Sequence, residues 1–182
     1  MRFRVGRMVV TALTMLALGL PGMALAAATS NVTVSLTLPS ASARLTTASG
    51  SPVSSVTLAD GPSGGPAWVT PTLVFNDQSA NSTYTVSAYT GGLTGSSGSI
   101  PASAFAWYCG GYGTSGAGSF TPDATGCTAV WNTGLASSSA SATSIDEAVP
   151  QADPYTELRF GVNPPASAAS GTYTGTITVI GN

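Results

Sequence analysis

The side chains best equipped for acid–base, redox or metal chemistry are few in this sequence: seven carboxylates and two cysteines, with no histidine and no lysine. Without histidine, the Ser-His-Asp and Cys-His arrangements cannot be built, and zinc hydrolysis loses its usual ligands. Without lysine there is neither a Schiff base nor a Ser-Lys dyad. No G-x-S-x-G elbow occurs. The glycine runs GGYGTSGAG and DGPSGG lack both the lysine and the strand–turn–helix setting of a phosphate loop. Catalytic residues are therefore expected to be none.

Two carboxylates suffice for glycoside hydrolysis. Glu147 and Glu157, or an aspartate with either, are the candidates, and Tyr155, Trp107 and Trp131 are candidate sugar platforms. Nothing in their spacing brings the carboxylates to one groove. Asp146, Glu147, Asp153 and Glu157 fall within IDEAVPQADPYTE, a segment with enough oxygen ligands for calcium but without the D-x-D-x-D-G pattern of an EF-hand loop. The simpler expectation is a solvated acidic loop and no cofactor.

Cys109 and Cys127 flank GGYGTSGAGSFTPDATG. A redox pair is usually much closer, as in C-x-x-C, and two cysteines without histidine do not complete a zinc site. The pair predicts a structural disulfide around a glycine-rich loop. Closing such a loop is worth about 3 kcal/mol in denatured-state entropy.

The disulfide agrees with the start of the chain. Arg2, Arg4 and Arg7 precede an apolar run from Met8 to Leu20, then Pro21-Gly22 and an A-x-A site at Ala24-Leu25-Ala26. This predicts a signal peptide over 1–26, with no lipobox cysteine near its end, and no membrane insertion after cleavage. The expected location is extracellular or at the cell surface. Removal of the leader leaves Arg44 and Arg159 against seven carboxylates, a side-chain charge of −5. Nucleic acid and anionic membrane, which need clustered positive charge, are not expected partners. Charged residues are 7% of the whole sequence, against roughly 25% in ordinary soluble domains.

Residues 27–182 are expected to form one domain, with a disulfide-closed loop at 109–127. Short segments of alternating apolar character are separated by Gly, Ser, Pro and Asn. Val32, Val34, Leu36 and Leu38 form one such face; Tyr84, Val86 and Ala88 another; Phe105, Trp107 and Cys109 a third. Trp68 to Phe75 is broken at Pro71, predicting an edge or a bulge there. Ala129 and Trp131 are expected to face inward. Leu158, Phe160 and Val162 precede Pro164-Pro165, and Tyr173, Ile177 and Val179 share the last face across Gly175. Only Ser137 to Ala148 admits a short helix. The pattern predicts an all-β, antiparallel two-sheet sandwich of immunoglobulin-like or jelly-roll topology. Asn31-Val32-Thr33 and Asn81-Ser82-Thr83 match glycosylation acceptors, triplets that arise often by chance in a chain so rich in Ser and Thr.

Both terminal segments are regular strands without the lysine, proline or inward charge that usually protects an edge. Val32, Val34, Leu36, Leu38, Tyr173, Ile177 and Val179 are thus candidate assembly residues. The simpler expectation is that both strands pair within their own domain; the alternative is strand addition to a neighbouring subunit.

The ending VNPPASAASGTYTGTITVIGN resembles the close of secreted bacterial surface domains of the WxL-related, immunoglobulin-like type, where a proline-containing segment precedes a G-T-Y-x-G-T-(I/L)-T strand. Leu73-Val74-Phe75-Asn76-Asp77 and Tyr84-Thr85-Val86-Ser87-Ala88 are similar to their V-x-D…W-x-(L/V)-x-V segment, with Tyr84 where tryptophan is common. The resemblance covers Thr72 to Ala88 and Asn163 to Ile180. It implies a β-sandwich serving attachment rather than catalysis. Neither Trp68-Val69-Thr70 nor Trp131-Asn132-Thr133 supplies the W-x-L tripeptide, so peptidoglycan attachment and functional residues do not carry over.

The sequence thus points to a non-catalytic structural or adhesive component of the bacterial surface, meeting cell-surface proteins, glycans or copies of itself. A filament subunit built by strand addition and a carbohydrate-binding or glycan-active module are the alternatives.

Overall fold

Tight turns and period-two burial give two β-sheets packed face to face in the computed structural model. It describes residues 30–37, 43–77, 83–113, 120–122, 127–150 and 155–181. The leader, Leu38, Asp153 and the acceptor Asn81 lie outside them.

Thirteen strands occur among the described residues: β1 (Ser30–Thr37), β2 (Ala43–Thr47), β3 (Val56–Thr57), β4 (Ala59–Asp60), β5 (Trp68–Val69), β6 (Leu73–Asp77), β7 (Thr83–Gly95), β8 (Gly98–Ile100), β9 (Phe105–Gly113), β10 (Trp131–Thr133), β11 (Thr143–Pro150), β12 (Tyr155–Val162) and β13 (Tyr173–Gly181). The first sheet runs β11-β7-β13-β1-β3, with β8 also on β7. The second runs β10-β9-β12, beyond which β12 pairs with β6 along one half and β5 along the other; β2 flanks β6 and β4 flanks β5. All pairings between these strands are antiparallel except β1 with β13, which is parallel. The two-sheet all-β sandwich is the expected one.

Alternate residues of the central strands meet between the sheets. Tyr84, Val86, Ile177 and Val179 from the first face Leu73, Phe75, Leu158, Phe160 and Val162 from the second, all buried. Each large side chain so removed from water contributes about 1.5–3 kcal/mol. The periodicity breaks where β7 bulges against β13, between the Gly175–Leu93 and Ile177–Thr90 pairs. There the Thr90 hydroxyl donates to the Thr176 carbonyl at 2.7 Å and accepts from the Gly92 amide at 3.1 Å. A Cβ on Gly175 would collide with the Gly92 carbonyl, so the close approach of the strands requires glycine.

Pro71 does break its segment, but β5 and β6 are both interior, each with a neighbour on either side. The break falls in the middle of β12. Thr70 closes it, its amide donating to the Phe160 carbonyl at 2.8 Å and its hydroxyl accepting from the Phe160 amide at 3.0 Å. The stretch Ser137 to Ala148 forms only a 3-10 turn at Ser139–Ser141 and then enters β11. Thr143 Oγ1 accepts from the Ala136 amide at 2.9 Å, and strand pairing with β7 outweighs any local helical tendency.

Candidate functional site

The disulfide forms in the core, at the inner side of β9. Cys109 and Cys127 are buried, with a Cα–Cα separation of 4.7 Å. The chain returning from the closed loop is pinned to β9 by the Ala129 amide, which donates to the Cys109 carbonyl at 3.0 Å. Ala129 adopts a left-handed φ of 55°, so the alternation expected to run from Ala129 into Trp131 is interrupted before β10 begins.

Asp146 belongs to this core site. It is fully buried on β11, with Oδ2 3.3 Å from Cys127 Sγ. Among the described residues, Cys109, Cys127 and Asp146 are the one group of three ligand-type side chains whose ligand atoms lie within 4.8 Å of one another. Two sulfurs locked in a disulfide beside one carboxylate differ from the shell of six to eight oxygens that calcium takes. Glu157 stands elsewhere, on the outward face of β12. The structure therefore does not bring Asp146 and Glu157 to one site, and the Glu147 side chain and Asp153 lie outside the described residues.

The outward face of the second sheet gathers the remaining chemistry. Arg159 on β12 is opposite Tyr108 on β9, and Tyr108 is opposite Trp131 on β10, so the three form one row across three strands. Arg159 Nη2 donates to Glu157 Oε1 at 2.9 Å, with the two side chains 42% and 13% exposed. The guanidinium carbon lies 5.4 Å from the Tyr108 ring centroid, within cation–π range. The Tyr108 and Trp131 rings are 5.5 Å apart and tilted by 49°. Glu157 can lie flat over β9 because Gly110 beneath it has no Cβ; one built there would collide with the carboxylate. At the upper end of this face the turn at Gly61–Pro66 folds back, with Pro66 against Gly161 and Gly65 against the Trp131 indole nitrogen.

Trp131 thus faces outward rather than inward, because its partner Tyr108 alternates with Trp107 and Cys109, which point to the core. Of the three candidate sugar platforms, Trp107 packs against the core, while Tyr155 shares the outward face two rows from Arg159. Arg44 joins them: it pairs with Asn76, and Asn76 pairs with Tyr155. Both arginines beyond the leader therefore lie on a single sheet face. Tyr108 was detectable in Phe105-Ala106-Trp107-Tyr108-Cys109, where it sits out of phase with the inward set.

The assembly candidates meet along one seam. Val32, Val34 and Leu36 on β1 pair with Gly175, Ile177 and Val179 on β13. Tyr173, Ile177 and Val179 are buried, and the Tyr173 hydroxyl donates to the Ala169 carbonyl at 2.7 Å. The last strand is consequently no edge: β7 and β1 flank it on either side.

Comparisons with protein-family models, with curated proteins and with solved structures return no match. Among the described residues no helix is long and apolar enough to cross a membrane.

Proposed function

We propose that the mature chain is a non-catalytic structural or adhesive component of the bacterial cell surface, exported by its leader and held in shape outside the cell by its disulfide. The row Arg159–Tyr108–Trp131 carries this reading. Sugar rings present apolar C–H faces that stack on aromatic rings and hydroxyls that bridge donors and acceptors. The row supplies two rings beside an Arg–Glu pair that offers both kinds of hydrogen bond. A carboxylate already bonded to a half-exposed arginine is better suited to holding hydroxyls than to protonating a leaving group. The disulfide and the WxL-like ending are in keeping with the same role.

The test is binding of the purified mature protein to isolated cell-wall polysaccharide and to a glycan array. Binding is expected without release of sugar, and Trp131→Ala should weaken it at least ten-fold while Trp131→Phe retains most of it. Full binding by Trp131→Ala, or turnover of a bound glycan, would refute the proposal.

A further inference from the structure

The seam between β1 and β13 joins the first described strand to the last in continuous register. It holds eight consecutive parallel pairs, from Ser30–Tyr173 to Thr37–Ile180. On its other side β1 meets β3 only at Asn31 and Val32. From Thr33 to Thr37 its partner among the described strands is β13 alone. The next strand, β2, belongs to the opposite sheet, so β1 is joined to the rest of the fold through residues 38–42 and by nothing covalent at its other end once a leader ending at Ala26 is removed. SNVTVSLT contains no charge and no proline to discourage pairing with another chain. β13 cannot be left bare, because its Tyr173, Ile177 and Val179 are core residues.

We infer that β1 is an exchangeable strand, and that the β13 edge it occupies receives the β1 of a second copy of this chain. The identical strand in the identical register restores all eight pairs, so exchange changes the free energy only through the connection and the concentration of partners. Reciprocal exchange gives a two-fold dimer; head-to-tail exchange gives an open filament. Either form repeats the outward face of the second sheet, and linked copies bind a repetitive surface more tightly than any one copy does. The inference itself does not depend on the adhesive reading, since a strand-exchanged chain need not bind glycan.

The register provides the test. Mature chains carrying Ser35→Cys and, separately, Thr178→Cys are unfolded, mixed, refolded at high protein concentration and oxidised. Ser35 and Thr178 are pairing partners, and each chain carries one of the two, so closure within a chain cannot join them. A disulfide-linked heterodimer on a non-reducing gel is expected. Asn31→Cys mixed with Thr178→Cys, four rungs or about 13 Å out of register, should give none. Absence of the first heterodimer, while the doubly substituted chain links only within itself, would overturn the inference. Light scattering on the unsubstituted mature chain, refolded over a range of concentrations, covers the case of a variant that fails to fold. A mass above one chain is expected, and a single-chain mass throughout would overturn the inference. A monomer that still binds glycan through Trp131 would leave the adhesive reading standing.

Discussion

β12 and β13 occupy matching places in their sheets, yet they are held in different ways. β13 lies between two long strands, β7 and β1, and one of these is the first strand among the described residues. β12 has β9 along its whole length on one side, but on the other it is shared by β6 and β5, with Thr70 closing the gap. Its neighbour β9 also carries Cys109, tied covalently to Cys127. The second sheet is thus stapled by a disulfide and divided along β12, whereas the first is completed by β1, the strand we infer to be exchangeable. The outward row of Arg159, Tyr108 and Trp131 lies in the stapled sheet, and the eight-pair parallel seam in the other.

The largest expected effects test whether the two centres contribute equally to one core. Phe160→Ala on β12 should destabilise by about 3–5 kcal/mol and Ile177→Ala on β13 by about 2–5 kcal/mol, each leaving a cavity between the sheets. Urea unfolding of the mature chain measures both. A cost for Ile177→Ala below about 1 kcal/mol would show that the first sheet contributes little to the core, and the comparison would fail at its base.

Much of that core is readable in the sequence. Leu158, Phe160 and Val162, like Tyr173, Ile177 and Val179, keep a strict period of two on strands with a partner on each side, so pattern and burial coincide. Asp146 escaped for a physical reason. β11 is irregular between Ser144 and Asp146 and again between Glu147 and Val149. Across the first irregularity Ile145 packs in the core cluster while its neighbour Asp146 reaches the buried Cys127, so the two do not alternate between core and solvent. An acidic pair in a serine-rich stretch consequently looks like a solvated loop. Trp131 misled in the same way, since the left-handed Ala129 resets the phase just before β10. The Arg159–Tyr108–Trp131 row could not be read from spacing, because its members come from three strands whose order only the fold supplies.

Next in size is the staple. Replacing Cys109 and Cys127 together by serine should cost about 3 kcal/mol, given their sequence separation of 18. Thermal unfolding reports the loss as a lowered melting temperature. Because the disulfide joins β9 to the approach to β10 and makes no link to β1, crosslinking between Ser35→Cys and Thr178→Cys chains should proceed unchanged in that background. If the strand ceased to exchange, or exchanged freely only without the disulfide, the two sheets would be coupled rather than independent.

The smallest stability effect is expected where the surface chemistry is richest. The Arg159–Glu157 pair is partly open to water, and such pairs contribute about 0–1 kcal/mol. The Arg159 Nε is buried without a hydrogen-bond partner, so truncation also removes an unsatisfied donor and offsets part of the loss. The contact with Tyr108 adds about 0.5–1 kcal/mol. Arg159→Gln should accordingly move stability by less than about 1 kcal/mol while reducing glycan binding, as is expected of Trp131→Ala, because glutamine keeps a polar end but loses the planar fork and the charge over the ring. Stability and binding would then separate at one residue. A side chain whose removal leaves the fold intact but abolishes attachment is placed for the surface it meets, and the opposite result, a large loss of stability with binding unchanged, would make the row part of the scaffold of β12 and nothing more.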